Sequence, residues 1–202
     1  GDQREQEVSV MFTDIRDYTS LSEKMSPDDN FRFINAFAGK MGPVIHKHKG
    51  FINQYMGDAI MAIFPRDVEN GLNASIEMQH EIAEYNQYRI EKGRKDIEIG
   101  IGLHTGQLMM GIIGDQNRTE PATIADTVNI ASRMEGMTKY YGVKILISQD
   151  SYDILPHPEA YNFRYMGEII VKGKNIPTKI FECFNGDEVE IRDKKLESLS
   201  QF

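Results

Sequence analysis

The spacing of apolar residues changes several times along the chain, and each change marks an element. Val8 to Thr13 (VSVMFT) is apolar or β-branched on both alternating faces, the pattern of a strand buried in mid-sheet. The run stops on Asp14, which predicts a carboxylate at the strand's exit. From Asp28 to His48, Phe31, Ile34, Phe37, Ala38, Met41 and Ile45 recur at helical spacing. Ser26-Pro27-Asp28 supplies an N-cap serine with proline at the first turn, and Gly50 is expected to end the helix. Gly50 to Phe64 reads as two strands joined at Gly57-Asp58, and Asp67 to Glu91 as a second helix with Leu72, Ile76, Met78, Gln79 and Ile82 on or near one face.

Ile97 to Leu103 (IEIGIGL) is expected to be a strand whose paired glycines admit the close approach of a neighbouring backbone. His104-Thr105-Gly106 is read as a turn into a further strand, Gln107 to Ile113. Arg118 to Ala125 is a polar connection. Asp126 to Met137 is predicted helical, Val143 to Ser148 a strand, Gln149 to Leu155 a short helix, and Phe163 to Val171 and Thr178 to Asn185 two late strands. This order predicts an α+β fold with a ferredoxin-like βαββαβ core and a C-terminal αβ extension. Residues 1–7 are expected to be a linker from an upstream region, 8–186 a single domain, and 187–202 a charged tail, either frayed or a linker.

Composition changes this picture little. With 202 residues, 40% hydrophobic and 27% charged, the chain has the make-up of one well-cored globular domain. A single cysteine, Cys183, rules out an internal disulfide, and no apolar run reaches the length of a membrane span, so a cytoplasmic location is the expectation. The formal net charge of -8 argues against non-specific nucleic-acid binding. The chain lacks a GxxxxGK[ST] loop, an HExxH pair, a nucleophile elbow and zinc-ligand spacing.

The candidate chemistry lies at Asp14 and Asp58. A carboxylate at a strand end and another at a hairpin tip lie side by side if the strands are neighbours, and such a pair suits Mg²⁺ or Mn²⁺. The plainer alternative is that one caps a turn and the other forms one. Asn129 and Arg133, four apart, share a helix face and could grip a phosphate and orient a ribose. Lys172, flanked by glycine in VKGK, could meet a phosphate or simply be a turn lysine. His104 is read as structural.

Together, FTDIRDYTSLSE, GFINQYMGDAIMAIF, IGIGLHTG, DTVNIASRMEG and VKGK resemble, in order and spacing, the catalytic domain of the class III nucleotidyl (adenylyl and guanylyl) cyclases. The resemblance implies a lyase that converts ATP to 3′,5′-cyclic AMP and pyrophosphate. It implies two divalent ions, Mg²⁺ or Mn²⁺, held by Asp14, Asp58 and the backbone carbonyl of Ile15. Backbone amides around Tyr18 and Thr19 would cradle phosphates, Asn129 would position the ribose, Arg133 would stabilise charge at the α-phosphate, and Lys172 would bind the terminal phosphates. In this family the aspartates come from one subunit and the Asn, Arg and Lys from the other. A homodimer with two composite sites, controlled by an upstream sensor domain, is therefore implied.

The positions that read the base in this family hold Gln54 and Ala122, which match neither the adenylyl nor the guanylyl pattern; Thr123 is a possible substitute for Ala122. ATP is favoured, with a guanylate cyclase acting on GTP as the alternative. A nucleotide-binding regulatory pseudo-cyclase is the alternative of another kind. Asp17 stands where the family has glycine and adds a negative charge near the phosphates.

Overall fold

The computed structural model describes residues 4–110, 125–170 and 177–201. Seven strands form one sheet in the order β2-β3-β1-β4-β5-β7-β6. The first half is β1 (Arg4–Ile15), a short helix α1 (Tyr18–Ser22), α2 (Pro27–Lys47), β2 (Phe51–Met56), β3 (Ala59–Phe64), α3 (Val68–Glu91) and β4 (Ile99–Met110). Its four strands are antiparallel, and together with α2 and α3 they make the expected βαββαβ core. Helix α4 (Ala125–Tyr141) then crosses over to β5 (Ile145–Ser148), which lies parallel to β4. The extension continues through α5 (Gln149–Asp153), β6 (Phe163–Ile169) and β7 (Thr178–Cys183) to α6 (Val189–Ser200).

Strand β1 is buried on both faces, as its unbroken apolar run requires. Met11 and Ile15 pack with Phe37 and Met41 of α2 and Leu72 and Met78 of α3, whereas Val8, Val10 and Phe12 turn to the other face and meet Ala131 of α4. Each fully buried side chain of this size contributes about 1.5–3 kcal/mol. Helix α2 begins at Ser26, whose side chain accepts from the Asp29 amide at 3.1 Å, with Pro27 in the first turn.

Four readings are corrected. HTG does not turn: β4 is one strand that pairs with β1 without interruption from Arg4↔Met110 to Ile15↔Ile99. Continuous hydrogen bonding to β1 outweighs the local turn tendency of Thr-Gly. In α2, Phe31 is 69% exposed and Phe33 is buried in its place, because the inward stripe runs Phe33-Phe37-Met41-Val44. The left-handed residue after α2 is Lys49, and Gly50 is small because a Cβ there would collide with the Phe64 ring. The tail is ordered: α6 is anchored where Lys195 pairs with the buried carboxylates of Glu182 and Asp187.

The paired glycines of β4 have the expected purpose. A Cβ on Gly102 would lie 2.5 Å from the Glu135 amide nitrogen and 2.6 Å from the Ala131 carbonyl of α4. One on Gly100 would collide with the Thr138 hydroxyl. Helix α4 thus rests its backbone directly on β4, close to the end of β1.

Candidate active site

The β1–β3 pairing (Thr13↔Ile60) brings the end of β1 beside the β2–β3 hairpin. That hairpin closes through Gly57 and Asp58, with Gly57 at φ 62° in the first loop position, where glycine carries the left-handed conformation without a steric penalty. The Ile15 amide donates to Asp58 Oδ2 at 3.3 Å, which fixes Asp58 against the residue after Asp14. Both aspartates line a cleft of about 470 Å³ with Ile15, Tyr18, Thr19 and, from α4, Glu135. The sequence-predicted residues Asp14, Ile15, Tyr18, Thr19 and Asp58 are therefore together.

Burial, and after it the charge on Asp14, pushes the Asp58 carboxyl above its ordinary value. Glu135 is pushed further, to about 9, first by burial and then by a hydrogen bond to Asp14 and by the charge of that residue. Glu135 is thus held toward its neutral form beside Asp14. Among the described residues neither Asp14 nor Asp58 forms an ion pair with a basic side chain. The donors fit a small divalent ion. No set of three or more His, Cys, Asp or Glu among the described residues makes a closed cage, and Mg²⁺ takes one or two carboxylates plus substrate phosphates and water.

Sequence reasoning missed Glu135, Arg16 and Lys139. Glu135 follows Arg133 by two positions, which on a helix turns it to the opposite face; the glycine at 100, its neighbour across β4, was the available signal. Arg16 donates to the Val143 carbonyl and lies 3.7 Å from Glu98. Lys139 pairs with Asp17 at 2.7 Å and holds that carboxyl below the usual carboxylate range. Asp17 has φ 53°, which is the physical reason a glycine suits this position.

Asn129 and Arg133 do not line this cleft. Both are exposed on the outer face of α4, and Arg133 donates to the Ile170 carbonyl at the end of β6. Gln54 is exposed on β2, next to the bulge between Ile52 and Gln54. Tyr18 stacks on Phe33 and its hydroxyl donates to Asn30. His104 is buried against Ser148, in keeping with a structural role. Ala122, Thr123 and Lys172 lie outside the described residues.

Residues 1–184 match the family of adenylate and guanylate cyclase catalytic domains. The chain belongs to that family. It is 40% identical over 181 residues to an adenylate cyclase of Anabaena cylindrica, covering 87% of this chain and 36% of that relative. The chain therefore spans about a third of the length of this curated relative. Among solved structures, the adenylyl cyclase CyaB from P. aeruginosa superposes with a TM-score of 0.77 at 27% identity, covering 91% of this chain and 96% of that one. The guanylyl cyclase Cya2 superposes with a TM-score of 0.74 at 26% identity, covering 91% and 94%. The ferredoxin-like core with its extension is thus the class III cyclase fold. Among the described residues no helix is long and apolar enough to cross a membrane.

Proposed function

We propose that the chain is an adenylate cyclase domain that converts ATP to 3′,5′-cyclic AMP and pyrophosphate at the interface of a homodimer. The observation that carries the reading is the Asp58–Ile15 contact, which sets two half-buried carboxylates side by side in a cleft next to α1. Asp14, Asp58 and the Ile15 carbonyl would hold two divalent ions, Mg²⁺ or Mn²⁺, which supply charge neutralisation at the triphosphate and acidify the ribose 3′-hydroxyl. That oxygen would lose its proton to solvent and bond to the α-phosphorus, while the bond from the α-phosphorus to the oxygen bridging the β-phosphate breaks and pyrophosphate leaves.

The chain's own residues hold the substrate. The first amides of α1, around Tyr18 and Thr19, have no helical acceptors and face the phosphates. Lys139 neutralises Asp17, so the extra carboxylate does not oppose a polyanion unscreened. Asn129 positions the ribose, Arg133 offsets charge at the α-phosphate, and Lys172 meets the terminal phosphates. These three act on the cleft of the second subunit, a reading supported by the exposure of Asn129 and Arg133 away from the cleft of their own chain. The domain works beside other parts of a longer protein, with a sensor upstream and the cytoplasm as its compartment.

ATP is preferred because the relatives of highest identity are named adenylate cyclases. Gln54 presents an amide that can meet either purine, with Ala122 or Thr123 opposite it, which keeps GTP as the second reading. The test is purified protein with Mn²⁺ and either ATP or GTP, with each cyclic product quantified. Cyclic GMP without cyclic AMP overturns the substrate. No product from either triphosphate, in a confirmed dimer, overturns catalysis in favour of a nucleotide-binding regulator.

A further inference from the structure

A second cleft, of about 820 Å³, opens between α2, the end of α3 and the loop before β4. Six of its lining side chains are cationic, namely Lys24, Arg32, Lys40, Arg89, Arg94 and Lys95, whereas Asp29 alone is acidic. On a chain of net charge -8 this is a marked local reversal of sign.

A cluster of surface cations is usually a solvated face. Arg89 makes this one different, because it is only 3% exposed. Its Nε donates to the Lys95 carbonyl at 2.8 Å, and its guanidinium stacks over the rings of Phe33 at 4.9 Å and Tyr85 at 5.6 Å. The guanidinium makes no ion pair and no other hydrogen bond with a described residue. The two rings offset part of the cost of burying this charge. The remaining N–H donors of a guanidinium are left for an anion in the cleft.

We propose that this cleft binds a phosphorylated small molecule of nucleotide size, with Arg89 at its floor and Arg32 and Lys40 at its sides. The volume falls within the range of small-molecule sites. Several cationic donors around a planar guanidinium favour phosphate, whose three oxygens accept from different directions. Tyr88, half exposed, offers a ring at the mouth against which a base can stack. Short helix α1 is the wall between this cleft and the catalytic one. Leu21 and Lys24 line the basic cleft, and Tyr18, Thr19 and Ser20 line the cleft of Asp14 and Asp58. A bound ligand thus lies one helical turn from the triphosphate-cradling amides, which makes the cleft an effector site. The proposal does not depend on turnover.

The experiment is an amide NMR titration of the whole chain in EDTA, with inorganic pyrophosphate in one arm and adenosine 5′-monophosphate in the other. Saturable shifts at Tyr85–Lys95 are expected, with a dissociation constant below about 1 mM. The Arg32→Ala/Lys40→Ala variant is expected to weaken binding at least about tenfold with an unchanged melting temperature. Arg94→Ala, at an exposed loop position, serves as a second variant should the first misfold. Shifts in both arms assign the affinity to the phosphate, and shifts with the nucleotide alone add stacking of the base. No saturable shift with either probe, shifts confined to residues around Asp14 or Arg133, or affinity indifferent to both variants would each overturn the proposal.

Discussion

Lys139 of α4 reaches across the cleft of Asp14 and Asp58 to Asp17, its ammonium 2.7 Å from the carboxylate. Both side chains are about two-thirds exposed, so the pair adds little to stability. Its consequence is electrostatic, because Asp17 lines the same cleft as Asp14 and Asp58, where the triphosphate is proposed to bind. Lys139→Ala is expected to raise the KM for the metal–nucleotide complex about two- to fivefold, the size of one screened charge interaction, with little change in melting temperature. The additional change Asp17→Gly should restore KM and relieve the left-handed strain at φ 53°. A steady-state assay of the three variants decides it, and an unchanged KM in Lys139→Ala would sink the idea.

Asp14 and Arg133 occupy opposite sides of the chain's own architecture, one inside the cleft and one on the outer face of α4. Asp14→Ala and Arg133→Ala are each expected to lose at least about a hundredfold in activity. Mixed in equal amounts, they should recover about a quarter of the wild-type rate, since half the dimers are mixed and each of those has one intact site. Failure to recover despite demonstrated heterodimers would count against shared sites.

Burial, and after it Asp14, pushes the Glu135 carboxyl up to about 9 in the fold, against 4.5 for a free glutamate. Between those values the folded chain keeps a proton that the unfolded chain has released, so stability must fall as pH rises through the window. Asp58, raised by burial and by Asp14, acts in the same direction. In EDTA the melting temperature is expected to decline from about pH 5 to about pH 9, and Glu135→Gln, neutral throughout, should flatten the slope. Saturating Mn²⁺ should also flatten it, because the cation stabilises the deprotonated carboxylates. Parallel slopes for wild type and Glu135→Gln would contradict the assignment.

Gly102 sits under the α4 backbone with no room for a methyl group. Gly102→Ala is expected to cost about 1–3 kcal/mol by lifting α4 off β4. Denaturant unfolding measures this directly. Because Glu135 and Lys139 ride on α4, activity should fall more than stability. A variant of wild-type stability would show that the helix can shift freely.

Much of this was legible before any coordinates. The run of Val8 to Thr13 suited a central strand, because it is short, rich in β-branched residues and apolar on both alternating faces. The i, i+4 pair Asn129 and Arg133 was legible for the same kind of reason, because helical periodicity dictates a shared face. HTG was misread because its local turn tendency is weak beside twelve residues of pairing with β1, and that pairing depends on sequence far away. Phe31 and Phe33 were exchanged because several phases of a helix can look amphipathic until the sheet selects one.

The sequence alone determined the strand ending on Asp14, the hairpin carrying Asp58 and the helix carrying Asn129 and Arg133, because periodicity and turn chemistry are local properties. Tertiary structure decided which of these meet. The β1–β3 pairing joined Asp14 to Asp58, and the glycine floor of β4 let α4 descend far enough to add Glu135 and Lys139. It also turned Arg133 away from its own cleft and buried Arg89 between two rings with no acidic partner among the described residues. Those outcomes depend on contacts between residues distant in the chain, which local pattern does not encode.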